Sequence, residues 1–399
     1  MTLDVLIIGG GPAGATTALL LAEAGWSVGL VEKKQFPRRK VCGEFISATS
    51  LPLLQKLGLD AFYLTHAGPE VRALGLYAAD AQLTAAMPKA QSSTANWGRA
   101  IGREHLDTAL LKRAQAAGAQ IWQPSEARHL QRKAGLFSCT VTGDNNSKEI
   151  SARLVVMANG SWERGIATTE KKAAQPSDLL AFKAHFRQCN LSSELMPLLA
   201  FPGGYGGLAH SDDQRVTLSC CIQRAVLQKL RLKQPGVPAA EVVLEYIKTN
   251  CHGVGEVLAH AQRVGPWLAA GPIRPGVRSC YKEGLFFVGN SAGEAHPVIA
   301  EGISMAMQSA WLLAQTLLLN PQVLLSTDSL DDVGAQYSKQ WRQHFVTRIH
   351  AATLFAHLAM MPARMVSLLL PVLKKFPVIL TLGAKLSGKI QQIVPLSQT

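Results

Sequence analysis

Two regular patterns of apolar and polar positions alternate at the start of the chain. Residues 3–8 form a short apolar run, residues 15–25 carry apolar side chains at helical spacing, and residues 26–33 form a second apolar run. Short β-branched apolar runs predict buried strands, and an apolar period of 3.6 residues predicts a helix. The pattern therefore predicts a strand–helix–strand unit with a glycine-rich first turn.

Comparable segments return later in the chain. A helix followed by a strand is predicted after residue 101, a buried strand ends near residue 160, and a strand followed by a helix is predicted after residue 284. The segments between them mix strand-like and helical patterns, so they predict a second lobe inserted into the first. The predicted division gives 1–68, 101–177 and 276–328 to the first lobe, 69–100 and 178–275 to the second, and 329–399 to a C-terminal helical region.

Size and cysteine content add two constraints. At 399 residues and 48% hydrophobic composition, the chain can bury a large core in two or three lobes. Its seven cysteines show no CxxC spacing, which favours reduced thiols over a disulfide framework or a zinc site. Asp4 and the glycines after it interrupt the N-terminal apolar run, so no signal peptide is predicted. We expect a cytoplasmic protein without a metal.

The positive charge is concentrated near the C-terminus. The formal net charge is +13, and the chain from residue 333 onward carries eight Lys or Arg residues and no Asp or Glu. Its apolar runs, MVSLLLPVL and FPVILTLGA, are each far shorter than the roughly 20 residues that span a bilayer. Such a segment can contact the inner face of a membrane, cover an apolar pocket, or pack with its basic face outward, and the last is favoured. Nucleic-acid binding is not indicated, since no basic stretch is interleaved with aromatic residues.

The first turn has the features of a dinucleotide site. Gly9, Gly11 and Gly14 follow the first predicted strand, and Glu32 ends the second. The first glycine permits a tight turn, the second lets the backbone approach a pyrophosphate, and the third lets helix and strand pack closely. The N–H groups at the helix start would then face the phosphates, and Glu32 would bind ribose hydroxyls.

Two further observations bear on which dinucleotide binds. No second GxGxxG lies between a predicted strand and helix, as a dedicated nicotinamide domain would need. Residues 35–100 do not continue with strand–helix repeats, as a simple NAD dehydrogenase would. The first observation argues against a flavoenzyme with a dedicated nicotinamide domain, and the second argues against a simple NAD dehydrogenase.

Five segments together resemble the p-hydroxybenzoate-hydroxylase-type flavoproteins. In chain order they are VLIIGGGPAGATTALLLAEAGWSVGLVEK, RRKVCGEFIS, AIGREHLDTALLKRAQAAGA, LVVMANG and LFFVGNSAGEAHPVIAEGIS. That group includes the group A flavin monooxygenases, the geranylgeranyl reductases and the flavin-dependent halogenases. The resemblance implies an α/β fold in which a Rossmann-like FAD-binding domain of the glutathione-reductase type is interleaved with a mixed-sheet substrate domain.

The resemblance also implies which residues hold FAD. Arg103 would lie near the ribityl and phosphate groups, and Gly289 with Asn290 would meet the ribityl hydroxyls and the pyrophosphate. The following helix would direct its positive end at the flavin pyrimidine ring, where it stabilises the negative charge of reduced flavin. The implied cofactor-binding set is Gly9, Gly11, Pro12, Ala13, Gly14, Glu32, Lys33, Cys42, Arg103, Asn159, Gly160, Gly289, Asn290, Pro297, Glu301, Gly302 and Ile303.

Two positions depart from the pattern of the aromatic hydroxylases. Those proteins often carry Asp-Gly where this chain has Asn159-Gly160, and Gly-Asp where it has Gly289-Asn290. An asparagine can still accept from and donate to ribityl hydroxyls, so FAD binding is retained, but a formal negative charge is lost. The electron donor is therefore open between NAD(P)H and a separate reductase.

Several functions are open to such a flavoprotein. We favour a monooxygenase that hydroxylates a hydrophobic phenolic or polyketide-type substrate through a C4a-hydroperoxyflavin, because CGEFIS, GNSAGEAHP and the basic apolar tail resemble enzymes of phenolic-lipid pathways. The alternative is alkene reduction of an isoprenoid or lipid, since Cys42-Gly43-Glu44 and Glu301-Gly302-Ile303 are typical of geranylgeranyl reductases. Halogenation is disfavoured because no WxWxIP-like stretch is present, and a non-catalytic flavin-binding partner is disfavoured by the intact flavin-edge motif.

Two polar side chains are candidates for the chemistry. His296, which precedes Pro297 at the implied flavin face, is a candidate for proton handling or a structural residue at the helix start. Tyr205, in FPGGYGG, either faces the substrate from the second lobe or packs on the glycines around it. The sequence leaves the substrate's identity and the oligomeric state open.

Two further residues receive expectations that the structure can test. Cys42 is a candidate redox thiol if the basic residues 38–40 point towards it. Lys183, in FKAHF, is expected to be a charge at the edge of a strand.

Overall fold

The computed structural model describes residues 2–90, 96–133, 135–143, 146–160, 173–326, 329–389 and 393. Its strands are β1 (Thr2–Ile8), β2 (Val28–Val31), β3 (Phe45–Ile46), β4 (Ala73–Ala78), β5 (Ala81–Ala86), β6 (Arg99–Ala100), β7 (Gln120–Trp122), β8 (Glu126–Lys133), β9 (Leu136–Thr142), β10 (Ser147–Met157), β11 (Leu179–Arg187), β12 (Leu195–Phe201), β13 (Gly204–His210), β14 (Val216–Gln223), β15 (Gln262–Ile273), β16 (Gly276–Val277), β17 (Tyr281–Lys282), β18 (Leu285–Phe287) and β19 (Gly293–Glu294). Its α-helices are α1 (Pro12–Glu23), α2 (Leu51–Lys56), α3 (Asp60–His66), α4 (Arg103–Ala116), α5 (Arg224–Lys233), α6 (Ala239–Asn250), α7 (His252–Val257), α8 (Gly302–Leu318), α9 (Leu330–Ala359), α10 (Ala363–Lys375) and α11 (Val378–Ala384).

The first sheet is built on five parallel strands in the order β18, β10, β1, β2, β7. The short β17 pairs antiparallel with β18, and the β8–β9 hairpin extends from β10. Val5, Leu6 and Ile7 in β1 are completely buried, because layers of side chains cover both faces of a central parallel strand. Helix α1 packs against α4 and α8 on one face. The sheet therefore has the doubly covered architecture that the sequence pattern predicts.

The second sheet has the order β15, β11, β14, β13, β12, β4, β5 and is antiparallel except between β12 and β4. All of its strands lie within 69–100 and 178–275, the ranges predicted for the second lobe. Side chains alternate between its two faces, as the pleat of a strand requires. In β11, Phe182 and Ala184 pack with α6 and α7, whereas Ala181 packs with the C-terminal helices on the opposite face.

The C-terminal region begins with the long helix α9, which carries a buried stripe of Tyr337, Trp341, Phe345 and Ile349. Their four-residue spacing keeps these side chains on one face of the helix, where they pack into the first lobe. Beyond a 111° bend, α10 and α11 follow and end in a π-helical turn, Lys385–Lys389. Within the described ranges no helix is by itself both long and apolar enough to span a membrane, although α9 and α10 together would meet that test across their bend.

Candidate functional site

A cavity of about 710 Å³ lies between the two sheets and the C-terminal helices. The turns that follow β1, β2, β10 and β18 line one end of it, at the carboxyl edge of the parallel strands, where such sheets bind ligands. The face of the second sheet that carries Tyr205 and Cys221 lines the middle, and α9, α10 and α11 close the far side. The cavity thus has one end suited to a dinucleotide and one apolar end.

The turn after β1 is shaped by its glycines. Gly9 has a φ of +111°, which disfavours any other residue there. A Cβ on Gly14 would lie 1.9 Å from the carbonyl oxygen of Gly9, so only a glycine lets α1 approach this closely. Glu32 accepts the backbone N–H of Gly10 at 2.7 Å and that of Lys34 at 2.8 Å. The carboxylate is therefore fixed beside the turn, with lone pairs remaining for hydroxyl donors.

Arg103, at the start of α4, lies on the other side of the same turn. Its Nη2 is 3.8 Å from the point that a Cβ on Gly11 would occupy, and its guanidinium donates to both carboxylate oxygens of Asp107 at 2.7 Å. Burial disfavours the charged form, but the Asp107 carboxylate outweighs it, so the pKa of Arg103 is raised. The turn therefore has a permanent cation beside its glycines.

These residues fit the phosphate and ribose portions of FAD. The helix α1 presents its first N–H groups to the cavity, and Glu32 offers a carboxylate to ribose hydroxyls. Arg38 also lines the cavity, and its buried Nε makes no hydrogen bond to any of the residues described. A phosphate oxygen would satisfy that donor. Lys33 lies at the rim, where it pairs with Glu126 at 3.2 Å.

The turn after β18 brings Asn290 and Glu294 together. The Nδ2 of Asn290 donates to Oε1 of Glu294 at 2.9 Å, and Glu294 is 4% exposed. Arg278 pairs with the same carboxylate at 3.4 Å. The expected loss of the charge that an aspartate would carry at position 290 stays a prediction, and the nearest carboxylate, that of Glu294, lines the cavity beside Asn290 while paired with Arg278.

Asn159 and Gly160 meet the same turn from β10. The Oγ of Ser291 donates to Oδ1 of Asn159 at 3.3 Å and accepts from the backbone N–H of Gly160 at 3.1 Å. Gly289, whose φ is +59°, donates its N–H to Ser309 at 2.7 Å. The structure thus brings the two asparagine–glycine pairs to one side of the cavity.

Of the cofactor-binding residues predicted around the start of α8, some line the cavity and one does not. Pro297, Gly302 and Ile303 line the cavity. The prediction that the Glu301 side chain faces the cofactor is corrected. This side chain is buried, and its Oε1 accepts from the Nζ of Lys389 at 2.8 Å. Its carboxylate therefore holds the C-terminal turn against this loop instead of facing the cavity.

Tyr205 and His296 form a buried pair in the middle of the cavity. The Tyr205 hydroxyl lies 3.1 Å from Nδ1 of His296, and both side chains line the cavity. Burial, together with the neighbouring His357, lowers the pKa of His296 to about 4. Burial also raises the pKa of Tyr205 well above its ordinary value. Both groups are therefore neutral at neutral pH and can exchange hydrogen bonds without a charged partner.

Glu44 joins the FAD-side loop to the second sheet. Its carboxylate contacts Lys183, His185 at 2.9 Å and Thr217 at 2.6 Å, all on the cavity face of β11 and β14. Burial would raise the pKa of Glu44, but the Lys183 ammonium and His185 lower it below its ordinary range. Glu44 has a φ of +65°, a conformation that costs roughly 1–2 kcal/mol for a non-glycine residue. The buried network offsets that cost.

Lys183 differs from its expectation, and Arg38 does not meet the condition set for Cys42. Lys183 is completely buried in β11, which pairs on both sides, so the expected strand-edge charge is wrong. Arg38 points to Glu32 and Asp107, not to Cys42. Cys42 lines the cavity, and its Sγ accepts the backbone N–H of Glu44 at 3.3 Å.

The C-terminal helices cover the apolar end of the cavity. Phe355 and Leu358 of α9, Leu369 and Leu373 of α10, and Leu380 of α11 all line it. The favoured expectation, a tail that only packs on the protein with a basic face outward, is therefore incomplete, because the tail also forms a wall of the pocket.

One cluster of metal-type ligands lies outside this cavity. Ligand atoms of Glu104, His105 and Asp212 approach within 4.8 Å of one another. Arg215 already contacts both carboxylates, at 3.1 Å from Glu104 and closer still to Asp212. A guanidinium thus supplies the positive charge there.

Sequence reasoning missed His185, Thr217 and Glu294 as parts of the site. A signal existed for one of them, because strict alternation along β11 places His185 on the same face as Ala181. No comparable signal links Thr217 to Glu44, since the two are 173 residues apart.

Comparisons with known proteins agree with this geometry. A family model described as FAD binding domain matches residues 2–322. Conditioned medium factor receptor 1 of Dictyostelium discoideum is 25% identical over 79% of this chain and 63% of its own length, so this chain spans less than two thirds of that relative. Digeranylgeranylglycerophospholipid reductase 2 of Methanopyrus kandleri is 23% identical over 86% of this chain and 83% of its own. Menaquinone reductase of Mycolicibacterium smegmatis is 21% identical over 97% of this chain and 91% of its own.

Solved structures share the fold. The flavin-dependent brominase Bmp2 superposes with a TM-score of 0.76 at 17% identity, covering 98% of this chain and 94% of the brominase. A geranylgeranyl bacteriochlorophyll reductase-like protein of Thermoplasma acidophilum superposes with a TM-score of 0.71 at 19% identity, covering 99% and 94%. Both likenesses concern the fold.

Proposed function

The chain belongs to the FAD binding domain family, and we propose that this flavoenzyme hydroxylates a hydrophobic aromatic substrate of the phenolic or polyketide type. When bound and reduced, FAD supplies the activation of molecular oxygen. The observation that carries the proposal is a mainly apolar cavity in which the Tyr205–His296 pair offers neutral hydrogen-bonding groups next to the start of α8.

The apolar wall suits a substrate with a long hydrocarbon part. Leu369, Leu373 and Leu380 from the C-terminal helices face Ile273 and Ala181 of the second sheet across the cavity. Burying hydrocarbon there contributes about 25 cal/mol per Å². The same helices exclude water from the site, which protects a reactive oxygen species from wasteful breakdown.

The polar pair suits a phenol at the other end of that substrate. When Nδ1 of His296 donates to Tyr205, Nε2 can accept the hydrogen bond of a phenolic hydroxyl. That hydrogen bond draws the proton away from the phenol oxygen and raises the electron density of the ring, which an electrophilic oxygen attacks. An isolated alkene has no hydroxyl for this pair to bind.

The pair can also relay the proton that leaves the phenol. His296 takes it at Nε2 while its Nδ1–H is shared with the Tyr205 oxygen. Because burial lowers the pKa of His296 to about 4, the imidazole holds that proton only transiently and returns it to the substrate oxygen when the ring regains its aromaticity. We therefore assign His296 the role of hydrogen-bond acceptor and proton carrier, with Tyr205 fixing its orientation.

Alkene reduction of an isoprenoid or lipid is the second candidate. Two of the relatives are named as reductases, one of a digeranylgeranylglycerophospholipid and one of menaquinone. Cys42, Gly43 and Glu44 also line the cavity, so the segment typical of geranylgeranyl reductases lies where a substrate would pass.

Mass spectrometry of the product separates the two reactions. The FAD-loaded enzyme is reduced with dithionite or NADPH and offered pentadecylresorcinol in isotopically heavy oxygen, and geranylgeraniol without oxygen. Hydroxylation predicts that one heavy oxygen atom enters the resorcinol. Two hydrogens added to geranylgeraniol under anaerobic conditions, with no oxygen incorporation, would overturn the proposal in favour of reduction.

Two further outcomes of the same experiment are informative. Turnover with dithionite but not with NADPH supports a separate reductase as electron donor. Reducible bound flavin without turnover of either probe contradicts both reactions for these substrate classes and leaves the non-catalytic alternative.

A further inference from the structure

Exposed apolar side chains are concentrated in the C-terminal helices. Of the large apolar residues that are exposed among the described residues, eleven of seventeen fall between 354 and 386. Elsewhere they are scattered, which is normal for a globular surface. A concentration of this kind marks an interaction surface.

Helix α10 carries four of these eleven residues, Met365, Leu368, Leu369 and Val372. None of its residues is buried, although Val366, Leu370 and Leu373 pack partly against the second sheet. Leu368 is 77% exposed and Met365 48% exposed. Met365, Leu368, Val372 and Phe376 recur at intervals of three and four residues, so they form one stripe beside the inward-facing one. The helix therefore has a second apolar stripe that stays exposed, and Val372, at its border with the inward-facing stripe, also lines the cavity.

The charges carried by the C-terminal segment beside this stripe have a single sign. Arg364, Lys374, Lys375 and Lys385 are exposed on and beside α10 and α11. No Asp or Glu occurs in the chain after residue 332. A partner for this surface must therefore be apolar at its centre and anionic at its edge.

We propose that the surface of α10 and α11, defined by Met365, Leu368, Val372, Phe376, Val378 and Leu382 with the basic residues around it, docks in the plane of an anionic lipid bilayer. A helix that lies in a membrane interface has an apolar face bordered by Lys or Arg side chains. At 1.5 Å per residue, α10 is about 20 Å long, which is shorter than the roughly 30 Å hydrocarbon core. It can therefore lie in the interface but not cross the bilayer.

The same helix connects the surface with the cavity. Leu369 and Leu373 line the cavity, whereas Leu368, which directly precedes Leu369, faces outward. Movement of α10 on a lipid surface would open the apolar wall towards the hydrocarbon. A lipid-soluble substrate then enters the cavity without crossing water. Docking itself does not depend on which reaction the chain catalyses.

Vesicle flotation tests the docking. The full chain with bound FAD is mixed with vesicles of phosphatidylcholine alone, or of phosphatidylcholine with about a third phosphatidylglycerol, an anionic share that gives a negative surface potential. We expect flotation with the anionic vesicles that falls at least fivefold in high salt. M365E/L368E should reduce the bound fraction at least tenfold, and K374E/K375E should reduce it to the level seen with phosphatidylcholine.

Matched controls come from α5 in the second lobe. Leu232→Glu alters a side chain that is 83% exposed outside the surface, and K229E/K233E makes the same change of charge as K374E/K375E. Both controls should float like the wild type. Flavin absorbance and thermal unfolding of every variant show that it is folded.

Three outcomes would overturn the proposal. The wild type remains in solution with anionic vesicles, or M365E/L368E floats as well as the wild type, or K229E/K233E loses as much binding as K374E/K375E. If the wild type is a dimer by analytical ultracentrifugation, M365E/L368E is a monomer and neither floats, the surface instead contacts a second copy of this chain. Failure of flotation leaves the product analysis of the reaction unaffected, so the two proposals fail separately.

Discussion

The Nδ1 atom of His296 lies 3.1 Å from the hydroxyl of Tyr205, and this contact joins the two lobes across the cavity. Tyr205 comes from β13 of the second sheet, and His296 from the loop between β19 and α8. The two residues are 91 positions apart in the chain. The proposed proton handling therefore depends on a hydrogen bond that also links the two lobes.

Removing the Tyr205 hydroxyl tests its role. Tyr205→Phe keeps the ring and leaves His296 without its partner, so we expect kcat to fall by roughly 100-fold, at the lower end of the usual contribution of positioned proton transfer. FAD affinity should stay within about threefold, because the hydroxyl belongs to the second sheet and not to the turns expected to hold FAD. Tyr246→Phe is the control, since that hydroxyl donates to Pro202 on the far side of the sheet at 3.1 Å. Equal loss in the two variants would show a structural effect.

The lowered pKa of His296 predicts a dependence of stability on pH. In the unfolded chain a histidine has a pKa near 6.5, whereas burial and His357 hold that of His296 at about 4. The unfolded state therefore binds the extra proton first as pH falls. The stability of the neutral buried ring is fully present above about pH 6.5 and is lost progressively towards pH 4.

His296→Gln removes this dependence. The difference in unfolding free energy between wild type and variant should shrink by about 2 kcal/mol between pH 7 and pH 4.5, measured by urea denaturation. The comparison cancels the titration of all other groups. A difference that is constant over this range would contradict the buried neutral ring.

Local patterns predicted the elements that surround the site. The helix and strand predicted after residue 101 are α4 at Arg103–Ala116 and β7 at Gln120–Trp122. The strand–helix–strand unit predicted at the start of the chain is also confirmed. Its helix α1 begins at Pro12, within the glycine-rich turn, and not after that turn. Such elements are determined by apolar spacing and turn glycines within a few residues of one another. A single sequence is therefore enough to predict them.

Contacts between distant segments could not be predicted in this way. Lys183 is a charged residue in an apolar strand, and its partner Glu44 lies 139 positions earlier. The sequence shows both charges but not that β11 is an interior strand with Glu44 above it. The pair of Lys389 and Glu301 could not be predicted either, because the two residues meet only through the path of the C-terminal helices.

Breaking the Glu44 network should strongly destabilise the fold. Glu44→Gln leaves the Lys183 ammonium buried without a carboxylate, so we expect a loss of about 3–5 kcal/mol in urea unfolding. E44Q/K183M removes both charges and should recover at least half of that loss. Glu245→Gln is the control, because its pair with Lys248 is exposed and should matter by less than about 1 kcal/mol.

The pH dependence of this network has the opposite sense to that of His296. The pKa of Glu44 is lowered on folding, despite burial, by Lys183 and His185. Its contribution is therefore present above the unfolded pKa, near pH 4.3, and is lost as pH falls further. The stability difference between wild type and E44Q should be constant from pH 7 to 5 and shrink below about pH 4. Shrinkage already at pH 6 would contradict the assignment.

The Asn290–Glu294 hydrogen bond predicts a mutational cycle. Asn290→Asp places two carboxylates in contact, so one must take up a proton or the turn must move. We expect FAD affinity, measured by flavin fluorescence, to fall at least tenfold at pH 8 and less at pH 5. E294Q restores a donor to N290D, so N290D/E294Q should bind FAD within about threefold of the wild type. A double variant as weak as N290D would indicate that Asn290 itself is required.

The Lys389–Glu301 pair ties the covering helices to the loop in front of α8. Lys389→Met leaves Glu301 buried, with Oε2 already lacking a hydrogen bond within the described residues. We expect a loss of about 3 kcal/mol in unfolding free energy and faster proteolysis within α10 and α11, because the last anchored turn is released. E301Q/K389M should be less destabilised than K389M, since no buried charge remains unpaired. Lys385→Met, on the exposed side of the same turn, is the control. If K385M accelerates proteolysis as much as K389M, general loss of charge is responsible, and the pair does not hold the helices over the cavity.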